Sequence, residues 1–236
     1  TTNIFDSGMI WLRADFHLHT RVDKEFTYTD IGSEFIGKYV DRLVDEGIGI
    51  GVITNHNKFA RDEYKSLRKA AQKRGVWLLP GAELSVNDGA NGIHTLIVFD
   101  KDSWIGGNDD YINQFLTSVF EGVANRENEN TPCKYGLMEV LKRLNEHRIQ
   151  GRDSFVILAH VDQDKGFFEE LDGGRIINIG KEELFRKSVL GFQKVTKYDT
   201  INNCKSWIGG WLPALVQGSD CKSIAGVGKA HVIDGK

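Results

Sequence analysis

The stretch WLLPGAELS at residues 77–85 decides how the chain is read, because a short apolar run ends in Pro80-Gly81 and then delivers one carboxylate, Glu83, into apolar company. An unpaired carboxylate in a low-dielectric interior costs several kcal/mol or is forced to protonate, so Glu83 calls for a cation or strong donors. The rest of the chain supplies candidates. His17 and His19 follow the apolar run 10–16, His56 ends 49–55, His94 opens 94–99, His160 ends 155–159, and Asp220 follows 214–219. Each stands at the edge of an expected strand.

Working outward from that strand, the hydrophobic periodicity predicts strands alternating with helices. Residues 9–16 and 48–54 read as strands, with a helix between them that starts at Ser33, recurs apolar at Phe35, Ile36, Tyr39, Val40, Leu43 and Val44, and ends at Gly47. A charged helix over 61–74 is closed by Gly75 before the Glu83 strand. The turn-rich segment 87–92 leads to a strand at 94–99, and two amphipathic helices over 109–123 and 135–147 flank the polar segment 125–132. A strand at 155–161 follows. Residues 162–180 are glycine-rich and long for a connection, with Phe167-Phe168 as their bulky apolar pair, which suits a lid. A short helix near 182–187 and strands at 189–195, 214–219 and around 230–233 complete the pattern. Alternation of this kind predicts a parallel sheet, and polar residues after successive strands match the carboxyl-end sites of (β/α) barrels. A doubly wound open sheet is the alternative, but its sites gather at one switch point.

Length and composition bound the rest. A chain of 236 residues supports one sizeable core, and the expectation is one domain over 1–236. It begins without Met and stops just after the last expected strand, which suits the N-terminal part of a longer protein. Thirty basic against 33 acidic residues give a net charge of −3, which does not choose a partner. Cys133, Cys204 and Cys221 have no CxxC spacing, as expected of reduced thiols in a cytoplasmic protein. No signal-peptide pattern or membrane-length apolar run is evident, and self-association is left open.

His17-Leu18-His19 puts two imidazoles on one side of an extended segment, close enough to share one ion. Alone that spacing is weak, as is each single strand-edge His, Glu or Asp, which is usually a capping or hydrogen-bonded residue. Their joint placement after apolar runs points to a polynuclear metal site. Neutral imidazoles with a shared carboxylate select Mn²⁺, Fe²⁺ or Zn²⁺ over Ca²⁺. His147 and His231 lack this context and read as structural.

Five ordered motifs carry a resemblance: Asp15-Phe16-His17-Leu18-His19-Thr20, Thr54-Asn55-His56-Asn57, Pro80-Gly81-Ala82-Glu83, Ala159-His160 and Gly218-Ser219-Asp220. From about Trp11 to Gly228 the sequence resembles the polymerase and histidinol phosphatase (PHP) family. The resemblance implies a distorted (β/α)7 barrel with its metals at the C-terminal ends of the strands, and two or three divalent ions. It places His17, His19, Glu83 and Asp220 around one ion, and Glu83, His94 and His160 around a second. The third position would take His56, an early acid that is either Glu25 or Asp23, and a histidine where this chain has Lys222. The run Asp23-Lys24-Glu25-Phe26 and residues 218–228 are most similar to PHP domains that precede an SMC- or AAA-like ATPase, which makes an ATPase domain or subunit an expected partner.

The expected activity is therefore metal-dependent phosphate-ester hydrolysis, with His17, His19, His56, Glu83, His160 and Asp220 as catalytic residues. His160 or His56 would serve as proton donor, and Lys222 or Arg21 would bind substrate phosphate. A nuclease or phosphodiesterase acting on DNA or RNA is the leading expectation, supported by the basic residues Lys134, Lys142, Arg143, Arg148 and Arg152. Those charges read equally well as a solvated helix face. The alternatives are a small-molecule phosphatase and a degenerate, non-hydrolysing domain with a structural role.

Overall fold

The computed structural model describes residues 11–29, 34–193, 202 and 206–229. Its strands are β1 (Arg13–Leu18), β2 (Ile48–Ile53), β3 (Trp77–Val86), β4 (Ile93–Phe99), β5 (Ser154–Leu158), β6 (Val189–Gln193) and β7 (Ala214–Val216), and they form one sheet in sequence order. The sheet curls into the distorted seven-stranded α/β barrel expected from the sequence. Its ends meet without strand pairing, through the Asp220 N–H donating to the His17 carbonyl at 2.9 Å.

The expectation of an all-parallel sheet is corrected at β4, which runs antiparallel to both β3 and β5. The reason is local. A parallel return needs a crossover of a dozen or more residues, and the six residues between β3 and β4 suffice only for a hairpin. Glu83 accordingly lies inside a ten-residue strand, paired with Leu96, rather than at a strand end. The reversal also brings the beginning of β4, with His94, to the edge where β3 and β5 finish.

Helices cover the outer face. α1 (Phe35–Asp45) buries Phe35, Tyr39, Val40 and Leu43, and α2 (Arg61–Gln72) buries Tyr64, Leu67 and Ala71, the one-sided spacing that a sheet-packed helix requires. Gly47 and Gly75 follow them with φ of +68° and +78°, a left-handed turn that glycine adopts without strain. The expected helix 109–123 is shorter, α4 (Tyr111–Val119), preceded by the single turn α3 (Lys101–Trp104); α5 (Leu137–Ile149) stands where a helix was expected. Inside the barrel, Leu96, Ile157 and Ala159 pack with Phe16, Phe155 and Val216 on the sheet face that carries Glu83. The expected strand near 230–233, His231 and Cys204 lie outside the described residues, and no described helix is long and apolar enough to cross a membrane.

Residues 162–180 are not an irregular lid. They contain α6 (Phe167–Glu170) and most of α7 (Gly173–Lys181), followed by α8 (Glu183–Ser188). Phe167 is fully buried, with its ring stacked at 5.7 Å on Phe185 and at 6.3 Å on Phe192. Such an anchor fixes the segment to the core. Phe167→Ala should therefore cost about 3–5 kcal/mol, read as a lower midpoint in chemical denaturation, whereas a detachable lid would leave the midpoint where it was.

Candidate metal centre

The first and last strands are stapled together around the site. The Asp15 carboxylate accepts the N–H groups of His17 at 3.0 Å and Ser219 at 3.1 Å, which holds the backbone just before Asp220 against β1. Gly218 permits this approach, since a Cβ there would lie 2.8 Å from His17 Cβ and 2.7 Å from Gln193 Nε2. Beyond the end of β2, the Asn55 carbonyl accepts the Glu83 N–H at 3.1 Å and the Asn57 N–H donates to the Glu83 carbonyl at 2.7 Å, locking His56 beside Glu83. His160 and Asp220 have φ of +29° and +47°, unusual for residues with a Cβ; backbone strain of this kind concentrates at functional sites.

Glu83 is 1 % exposed and divides its two oxygens between two groups of imidazoles. Its Oε2 lies 2.7 Å from His17 Nε2, 3.0 Å from His56 Nε2 and 3.3 Å from His19 Nε2. Its Oε1 lies 2.8 Å from His94 Nδ1 and 3.7 Å from His160 Nε2. Asp220 Oδ1 joins the first group, 3.2 Å from His19 Nε2 and 3.6 Å from His17 Nε2. Burial works against a charged Glu83, yet the facing His17, His56 and His94 hold its carboxyl well below the usual range. Burial pushes His94 down, toward the neutral form that binds metal.

Outer partners fix the direction of the imidazoles. His17 Nδ1 lies 2.8 Å from Gln193 Oε1, which leaves Nε2 as the ring nitrogen turned toward Glu83. Asp23 Oδ2 lies 3.0 Å from Nδ1 of both His19 and His56 and accepts the His56 backbone N–H at 2.7 Å. One buried carboxylate thus turns the Nε2 atoms of two stacked imidazoles toward Glu83. His17 Nε2 and His19 Nε2 end 3.1 Å apart, and His94 Nδ1 and His160 Nε2 3.3 Å apart. Converging imidazole nitrogens are what a cation needs. With metal–nitrogen bonds of about 2.0–2.1 Å, adjacent ligands on one ion are separated by about 3.0–3.4 Å, so both groups fit a divalent ion. The residues His17, His19, Glu83 and Asp220 offer donor atoms all within 4.8 Å of one another, as do His56, Glu83 and His94, and His19, Asp23 and His56.

The remaining expected residues divide between the cluster and its surroundings. Of the two early acids, Asp23 stands among the imidazoles, whereas Glu25 forms an ion pair with Lys222, whose Nζ also lies 3.0 Å from Asp220 Oδ1. The Asp23 carboxylate takes the inner position because it caps the turn 20–26 and accepts the Glu25 N–H at 3.0 Å, directing Glu25 outward. Arg21 pairs with Glu63 at 2.8 Å and stacks on Phe35, away from the donor cluster. The basic residues near the fourth motif have local partners: Lys142 and Arg143 meet Glu139, Arg143 lies over Tyr135, Arg148 pairs with Asp153, and Arg152 donates to His147 and lies over Tyr111. His147 is structural, its ring 4.7 Å from that of Trp104. Sequence reading gave no role to Asp15 or Gln193. Asp15 alternates with His17 and could have been found by that period of two, but only the tertiary contact identifies Gln193.

No protein-family model matches the chain, and no curated protein matches its sequence. Solved structures do match. An amidohydrolase from Chromobacterium violaceum, solved with sulfate and without metal, aligns with a TM-score of 0.58 at 14% identity over 94% of this chain and 92% of that one. A Bifidobacterium adolescentis protein provisionally described as a metal-dependent phosphoesterase aligns with a TM-score of 0.54 at 13% identity over 89% and 88%. PsfC from Pseudomonas syringae aligns with a TM-score of 0.50 at 16% identity over 91% and 78%. At these identities the likeness is one of fold.

The clamp on His19 and His56 is open to test. Asp23→Asn should keep the fold but weaken binding of Mn²⁺ or Zn²⁺ about 10- to 100-fold, the usual loss when the partner that orients a ligating histidine is removed. Titration of the metal-free protein measures it, and an unchanged affinity would show that Asp23 does not orient the imidazoles.

Proposed function

We propose that this chain is a metal-dependent hydrolase of phosphate esters, of the PHP type that its motifs resemble. His17, His19, Glu83 and Asp220 would hold one divalent ion, and Glu83, His94 and His160, with His56 alongside, a second. The observation that carries the reading is the division of Glu83, with Oε2 facing His17, His19 and His56 and Oε1 facing His94 and His160. A buried carboxylate set between two imidazole groups would hold two cations at once. Such an ion pair, when bound, polarises a phosphoryl oxygen and makes a water acidic enough to attack near neutral pH. Mn²⁺, Zn²⁺ and Fe²⁺ all suit the donors.

The chain's own residues hold that chemistry in place. Gln193 and Asp23 fix the tautomers of His17, His19 and His56, so no reorientation is needed at the moment of reaction. The apolar cluster on the sheet face that carries Glu83 would give the site a low-dielectric floor. Of the charges that supported a nucleic-acid substrate, Lys142 and Arg143 face Glu139 and Arg148 faces Asp153 on or near their own helix, so the reading stops at phosphate esters as a class.

After removal of metal by a chelator and reloading with Mn²⁺, Zn²⁺ or Fe²⁺ in turn, the protein should hydrolyse p-nitrophenyl phosphate, its bis-ester or a labelled oligonucleotide. His17→Ala and His19→Ala should each lower that activity about 100- to 1000-fold with little change in thermal unfolding. Undiminished activity in those variants, or no hydrolysis of any of the three substrates, would overturn the reading. Glu83→Ala should lose more than one metal equivalent by elemental analysis; unchanged content in the folded variant would remove the bridge.

A further inference from the structure

Lys222 stands apart from the other cations near the site. Arg21 is held by Glu63, and Lys58 pairs with Glu127 and donates to the Val22 carbonyl. Among the described residues, Lys222 is the cation whose ammonium contacts a carboxylate of the donor cluster, 3.0 Å from Asp220 Oδ1. Its position is built rather than incidental. The Lys222 carbonyl accepts the Thr27 N–H at 2.7 Å, and the side chain is gripped by Glu25 from the turn that also carries Asp23. The neighbouring Cys221 Sγ reaches the His19 carbonyl at 3.4 Å, so Lys222 and the residue before it are both held against the segment 19–27. The side chain is nonetheless 41% exposed, which sets the ammonium at the mouth between the cluster and solvent.

We infer that Lys222 is the substrate-recognition cation of this site and that it selects phosphate monoesters over diesters. The inference rests on the metallophosphoesterase reading above. A terminal phosphate carries three non-bridging oxygens and, with a second pKa of about 6, nearly two negative charges at neutral pH; a diester carries two such oxygens and one charge. The monoester therefore offers one acceptor and one charge more, and Lys222 is the cation placed to take them. As a compact point charge on a flexible stem, the ammonium can exchange Glu25 for a phosphate oxygen without moving the backbone that Thr27 holds. Glu25 acts in turn as an internal competitor that occupies Lys222 until phosphate arrives.

The test uses the full chain loaded with Mn²⁺ and inorganic phosphate as the probe. Calorimetry should show Lys222→Ala binding phosphate about 10- to 100-fold more weakly, the range of a charge-assisted hydrogen bond, with metal content by elemental analysis unchanged. Lys222→Arg should recover part of the affinity, and Glu25→Gln should tighten phosphate binding with metal content unchanged. In hydrolysis, Lys222→Ala should lose about tenfold more on p-nitrophenyl phosphate than on its bis-ester. Equal losses on the two esters, or phosphate affinity unaltered in Lys222→Ala, would overturn the role of Lys222 while leaving the metal-dependent activity standing. Glu25→Gln that loses metal would also overturn it, by making Glu25 a ligand rather than a competitor. A wild-type protein that neither binds phosphate nor hydrolyses either ester would remove the metallophosphoesterase reading, and this inference with it.

Discussion

The constraint on which the structure depends is the burial of the Glu83 carboxylate. At 1% exposure it has lost nearly all its water, and a lone charge there would cost several kcal/mol or be neutralised by a proton. Five histidines from four separate segments converge on its two oxygens instead. The end of β1, the residues after β2, the start of β4 and the residues after β5 are therefore placed by one charge as much as by the packing of their strands.

The hairpin between β3 and β4 shows how topology serves that charge. In an all-parallel barrel a histidine opening the fourth strand would lie at the opposite end from the site. Because β4 is reversed, its opening is at the C-terminal edge of its neighbours, and His94 meets Glu83 with its Nδ1 at 2.8 Å. The same pairing puts Leu96 opposite Glu83, so an apolar floor and a polar centre alternate along one strand pair. A short turn has decided both.

The centre is rigid inside and adjustable at its mouth. His17, His19 and Asp23 are buried and tied at defined nitrogens and oxygens, and His160 and Asp220 are kept in left-handed backbone by the hydrogen bonds around them. At the rim, Lys222 and Glu25 are partly exposed and held mainly by an ion pair, a kind of contact that is worth little in water and exchanges readily. Preorganised donors within and exchangeable charges without are what the proposed metal-dependent hydrolysis would require.

Much of this was legible in the chain itself. The period-two spacing of His17 and His19, the apolar runs that deliver His56, His94 and His160 to strand edges, and the glycines closing the first two helices are local features. Local steric and hydrophobic preferences suffice to specify them. The orientation of β4 was less legible, although the length of the turn at 87–92 excludes a crossover. Sequence alone could not separate Asp23 from Glu25, because both follow His19 closely in the same turn; the folded chain brings the Asp23 carboxylate to the Nδ1 atoms of His19 and His56 and pairs Glu25 with Lys222. Nor could it reveal Gln193 behind His17, 176 residues away, or the ion pairs that occupy Arg21 and Lys222. Those depend on where distant strands come to lie, and that position is set by closure of the sheet rather than by any neighbouring residue.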